Sequence, residues 1–203
     1  MEANFNHEQS LSLISEMIER ARNNVQKKAG NSLIYWGYVV AALAVVNYVL
    51  LHTLDDILQS FFIWLAMIPA GLVSYFMERR IVRETLVKTH IDKINATVWQ
   101  GFLVSFVVFT VVINLLVVRL DMQEILMLNI PVMLTLLGMG IFISACVIRY
   151  KVWYALAAIT WAGAIVSVLV KLEMQFIVFA LCMVIGIAVP GHTLNCQAKK
   201  NHV

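Results

Sequence analysis

Charge is what this sequence has least of. Asp, Glu, Lys and Arg make up 13% of its 203 residues, against about 25% in an ordinary soluble domain. The net charge of +3 is too small to point to nucleic acid as a partner. Cysteine is also scarce. Cys146, Cys182 and Cys196 show no C-x-x-C spacing, and two of them sit in apolar runs where a thiol is an inert small hydrophobe. The familiar chemical motifs are missing. No G-x-x-x-x-G-K-[ST] is present to cradle phosphates, no H-E-x-x-H to hold zinc and no G-x-S-x-G nucleophile elbow. The five histidines, His7, His52, His90, His192 and His202, are scattered without ligand spacing. Residues 1–10 are polar and lack the apolar core of a cleaved signal peptide.

What fills the chain instead is hydrophobic sequence, 61% of all residues. The longest run free of acidic, basic and histidine residues is 94–118. At about 1.5 Å per helical residue it outspans a hydrocarbon core roughly 30 Å thick. Five further runs without acidic or basic residues flank it. The sequence therefore predicts an all-α membrane protein with six transmembrane helices, at about 32–54, 57–77, 94–118, 125–148, 152–170 and 174–192. Helices are expected because an open strand edge is not satisfied in lipid, and the alternation of a membrane β-barrel is absent. No acidic or basic side chain lies well inside any span. Proton relays, ion pumps and voltage sensors usually place one there. An intramembrane hydrolase would need a nucleophile and base that the sequence does not supply. No enzyme activity, cofactor or metal is expected.

Orientation follows from the basic residues. With the N-terminus inside, thirteen of the fifteen Lys and Arg fall on the inner side, and only Arg119 and Lys171 fall outside. By the positive-inside rule both termini are cytoplasmic. The chain then divides into a cytoplasmic helix at 1–30, a membrane domain at 31–198 and a short tail at 193–203. Asn95-Ala96-Thr97 matches a glycosylation sequon, but at a cytoplasmic end, where the match is read as chance.

The N-terminal segment is of different material. Leu11, Ile14, Ile18, Ala21 and Val25 recur at spacings of three and four, the mark of a helical seam. Glu16 and Glu19 precede Arg20, Arg22, Lys27 and Lys28, which complements the helix dipole. Two readings stand: an amphipathic helix lying on the membrane surface or on the protein's own cytosolic loops, or a docking helix for a protein partner or a second copy. Gly30-Asn31-Ser32 is expected to break or kink the chain before the first span.

The spans repeat weakly. The odd ones open near the cytoplasm with Trp36, Trp99 and Trp153; the even ones each hold one of the three prolines, Pro69, Pro131 and Pro190. The pattern reads as three tandem helical hairpins. Small residues four apart let helices approach closely in lipid. Gly37, Ala41 and Ala44, then Gly140 and Ser144, then Ala155, Ala158 and Ala162 make spans one, four and five the expected centre. Span three, rich in Val, Phe and Leu, is expected to face lipid.

One polar constellation remains. Asn47, Asn114 and Asn129 fall in the outer halves of their spans, beneath the outer acids Asp55, Asp56, Asp121, Glu124 and Glu173. Buried amides need hydrogen-bond partners, and an acidic rim attracts cations. Together they make a candidate shallow site for a cation or amine. The plainer reading is that the asparagines bond between helices and the acids cap turns.

The stretch SLSLISEMIERARNNVQKKAGNSLIYW, residues 10–36, resembles the start of small, uncharacterised six-span proteins of bacterial inner membranes. These begin with a short amphipathic helix and Lys/Arg just before span one. The resemblance implies the bacterial inner membrane and no particular activity. Two functions are therefore carried forward: an accessory or regulatory protein that docks through its N-terminal helix, and a small-solute or ion transporter. The lipid bilayer is the one partner expected in either case.

Overall fold

Every described segment of this chain is helical, as expected of apolar sequence that must satisfy its own backbone. The computed structural model describes residues 7–54, 57–82 and 90–200. Among them there is no strand, and helix makes up 95%. The elements are α1 His7–Thr53, α2 Ile57–Ser60 and α3 Met67–Val82, then α4 His90–Leu120, α5 Asn129–Ile148, α6 Lys151–Leu169, α7 Leu172–Met183 and α8 Val189–Lys200. Five helices are long and apolar enough to cross a membrane: Gly30–Thr53, Lys93–Leu120, Gln123–Ile148, Lys151–Leu169 and Leu172–Cys196. The second apolar run is shorter, Phe61–Met77.

The three prolines explain where helix geometry changes. Proline has no N–H, and its ring clashes with the carbonyl four residues back. Pro69 is the third residue of α3, and the six residues before α3, Phe61–Ala66, form a 3-10 segment. Pro131 is the third residue of α5 and likewise follows six residues of 3-10 helix, Gln123–Leu128. Pro190 is the second residue of α8, and the five residues before α8, Val184–Ala188, form a π turn. There the Val189 N–H reaches back to the Val184 carbonyl, five residues away. So α7, the π turn and α8 make one unbroken last span.

Gly30-Asn31-Ser32 does not break the chain, contrary to expectation. α1 runs continuously through it for 47 residues. Gly30 serves close approach instead. A Cβ there would collide with Asn195 and lie 2.7 Å from the Gly191 carbonyl oxygen. One on Gly191 would lie 2.6 Å from the Gly30 carbonyl oxygen, and one on Gly37 would lie 2.7 Å from the Ala188 nitrogen. Backbones this close exclude any side chain, as small-residue interfaces in membranes require.

The core is one cluster drawn from α1, α5, α6 and the last span. The expected centre needs two corrections. The last span belongs to it, with Phe176, Phe179, Ala180, Cys182, Met183 and Ile187 buried. On α6 the packed face is Trp153, Leu156, Ala157, Thr160, Ala164 and Ser167, whereas Ala155, Ala158 and Ala162 are exposed. α6 carries small residues on several faces, so their spacing alone does not identify the packed one. Gly140 also has open space where a Cβ would be. Trp153, the tryptophan that opens span five, is 2% exposed and buried in the core. As expected, α4 is peripheral: among its described side chains only Ile113 and Val117 are buried, in a minor cluster with Leu126.

Helix pairing also differs from simple tandem hairpins. α5 packs most extensively on α6, and α1 packs along the whole last span. α4 against α5 and α6 against α7 are lesser contacts, and α1 meets α2 and α3 only lightly. The tightest joints thus run between the expected hairpins, where the small residues are.

Candidate functional site

Two groups of polar side chains lie near the ends of this bundle, where amides and hydroxyls inside apolar packing need partners. At the end away from the chain termini, Asn47 on α1 is fully buried, and its Nδ2 donates to the carbonyl oxygen of Ser60 on α2 at 3.1 Å. Its Oδ1 is buried without a hydrogen-bond partner among the described residues. Gln175, three residues into α7 from its start, is 1% exposed and has an unpartnered Oε1 as well. Its neighbour Phe176 packs edge-on against Phe61, with ring centroids 6.0 Å apart, so α7 and the Ser60–Phe61 step adjoin.

Beyond them, His52 and Glu173 approach to 3.5 Å and tie the C-terminal end of α1 to α7. His52 Nδ1 donates to the Tyr48 carbonyl at 2.9 Å, leaving Nε2 towards the carboxylate. The contact is an ion pair only when the imidazole carries its second proton. With both side chains 46% exposed, it is worth at most about 1 kcal/mol.

The structure separates the other candidate residues. Asn114 is exposed, and its Nδ2 donates to the Thr110 carbonyl one turn back on its own helix, at 2.8 Å. It lies on peripheral α4 rather than at the α1–α7 junction. Asn129 opens α5 with a buried, unpartnered Oδ1. Asp121 is exposed, in a left-handed turn with φ 52° after α4, and Glu124 is exposed beyond it. Asp55 and Asp56 lie outside the described residues. Of the expected rim, then, Asn47 and Glu173 share one helix junction. Gln175 and Ser60 complete the polar surroundings there, and sequence reasoning passed over both. Gln175 lies at the polar start of an apolar run, where sequence alone gives no sign that the amide faces inward.

The expected docking seam, Leu11, Ile14, Ile18, Ala21 and Val25, lies on the helical backbone of α1. The side chains of these five lie outside the described residues.

The end nearer the chain termini is cross-linked by neutral hydrogen bonds. Asn195 Nδ2 donates to Asn31 Oδ1 at 2.7 Å, and Ser144 donates to Asn95 Oδ1 at 2.8 Å. The sequon asparagine is therefore a structural tie between α4 and α5. Trp153 Nε1 donates to Thr193 Oγ1 at 3.4 Å. Tyr38 and His192 share a hydrogen bond at 3.2 Å across α1 and α8. These groups can bind and position. Among the described residues no group of three His, Cys, Asp or Glu is placed to hold a metal ion. No family model, curated protein or solved structure matches this chain.

Proposed function

We propose that this is a six-span protein of the bacterial inner membrane that acts as an accessory or regulatory subunit, docking partners through the N-terminal part of α1. The observation that carries this reading is the continuity of α1 from His7 to Thr53. Its apolar part begins at Gly30, so the 23 residues before it extend the span by about 35 Å. An arm in line with a membrane-crossing helix does not lie flat on the membrane surface. The seam positions fall about a third of a turn round the helix from the Gly30, Gly37 and Ala44 line that meets the last span. That leaves the seam on a different side from the α1–α8 contact. The sixth span is the run from α2 to α3. Six of its apolar residues are 3-10 helix, which rises about 2.0 Å per residue, so Phe61–Met77 reaches about 28 Å. The recurrence of a non-α segment before each proline supports an origin in three hairpin units. The distribution of basic residues supports cytoplasmic termini.

Two experiments test this. Single cysteines, Lys88→Cys and Glu173→Cys in a background without native cysteines, should label from opposite sides of intact cells; labelling of position 88 from outside reverses the topology. For docking, Ile14→Glu with Ile18→Glu should lose partners in a pull-down while the bundle unfolds at the parent temperature. If that variant keeps every partner, and Asn47→Leu with Glu173→Gln alone abolishes uptake of a solute, the protein is a transporter.

A further inference from the structure

Between α1 and the last span an apolar trough of about 520 Å³ opens sideways. Its floor is Ala41 and Ala180, 7% and 6% exposed. Its walls include Val46 on α1 and Leu181 on α7, both exposed on helices of membrane length. Val184, where the π turn begins, lines it as well. A trough of this character, within the hydrocarbon depth, is open to lipid chains.

Its two ends differ. On α1 the trough runs from Tyr38 to Val46, about 12 Å of helix, room for part of one acyl chain. At the end nearer the chain termini stands the Tyr38–His192 pair, both side chains exposed. Whichever way the shared proton points, one donor is left over. If Tyr38 donates to Nε2, the Nδ1–H of His192 is free; if Nε2 donates, the Tyr38 O–H is free. By the alternation of the helices, the described basic residues Arg79, Lys93, Arg149 and Lys151 fall on that same side. An acyl-chain slot therefore meets a hydrogen-bond donor and a positive field at one mouth.

We infer that this trough binds one phospholipid with an anionic headgroup, drawn from the leaflet on the side of the termini. One acyl chain lies over Ala41 and Ala180, and the phosphate faces the Tyr38–His192 pair. The chain alone gains little, since hydrocarbon surrounds the protein anyway. Selectivity comes from the headgroup, through the donor and the basic field. The inference is independent of what the N-terminal arm binds.

The test uses the full-length protein in detergent, with phosphatidylglycerol or phosphatidylcholine of the same chains added. Phosphatidylglycerol should raise Tm by on the order of 5 °C more than phosphatidylcholine, and native mass spectrometry should retain one lipid per chain. Ala42→Trp, which fills the trough from an exposed position, should abolish the difference. If it does not fold, Leu181→Trp fills the trough from the opposite wall. Tyr38→Phe with His192→Leu removes every side-chain donor of the pair and should keep lipid binding and lose the headgroup preference. Val108→Trp on peripheral α4 should change neither. Equal shifts from both lipids in the parent overturn the proposal, as does an undiminished preference in the trough-filling variant. A preference that survives loss of the Tyr38–His192 pair overturns the headgroup assignment. Efficient cross-linking of Ala42→Cys between copies shows that a second chain, not a lipid, covers the trough.

Discussion

Lys93–Leu120 is the most hydrophobic of the five membrane-length helices and the least buried, with 11% of its apolar window inside the bundle. Gln123–Ile148 is less hydrophobic, yet 56% of its window is buried. In water that order would be backwards. In a bilayer it is expected, because lipid tails are as apolar as leucine and hydrophobicity does not drive helices together. What sorts centre from flank here is fit. The centre is where a missing side chain lets two backbones meet, as at Gly30–Gly191 and Gly37–Ala188, or where polar groups bond across helices. The flank presents Leu103, Val104, Val107 and Val108 to its surroundings.

The contrast breaks first if bulk at the closest joint is harmless. Gly191→Leu puts a side chain where the Gly30 carbonyl oxygen stands. Parting α1 from the last span should cost about 3 kcal/mol or more, seen as a fall in Tm in detergent of roughly 6–12 °C. An unchanged Tm would mean that the two helices are not in contact there.

Next comes a pair of variants one residue apart on α6. Ala157 is fully buried and Ala158 is exposed. Ala157→Leu should overpack the centre by about 1–3 kcal/mol, whereas Ala158→Leu should stay within about 0.5 kcal/mol of the parent. The reverse order of thermal stabilities would turn α6 round.

A smaller loss is expected at Asn47→Leu. The change removes the donor to the Ser60 carbonyl but also an unpartnered acceptor. Interhelical hydrogen bonds in membranes average about 0.6 kcal/mol, so the fall should be of that order, with a retained fold by circular dichroism. Smallest of all is Val107→Leu on α4, within about 0.5 kcal/mol of the parent; a clear drop there would place α4 in an interface.

The sequence carried some of this and concealed the rest for physical reasons. Helical character and the peripheral place of α4 were legible, because length without charge and a lack of small residues are local properties. The role of the last span was hidden by the π turn at Val184–Ala188, which inserts extra backbone between Ala180 and Gly191. Residues that face one neighbour therefore do not keep the spacing of four that marks a small-residue stripe. On α6 the error was one of abundance, since alanines on two faces offer the same spacing. At Gly30 the residue type was read as a breaker, and only the opposite backbone reveals that it is there for contact. In the candidate site, Asn47 was found because an amide in an apolar run is conspicuous. Asn114 was equally conspicuous but satisfies itself on its own helix. An amide's inward or outward direction depends on neighbours that no single run contains.

The unbroken α1 has a mechanical consequence. A helix without a hinge at the membrane boundary is a lever, one arm gripped by the last span and the other, of about equal length, reaching about 35 Å beyond Gly30. A rocking of about 10° within the grip would sweep the far end through about 6 Å. Pressure on the far end would return to the Gly30–Gly191 and Gly37–Ala188 joints, where the backbones have almost no slack to absorb it.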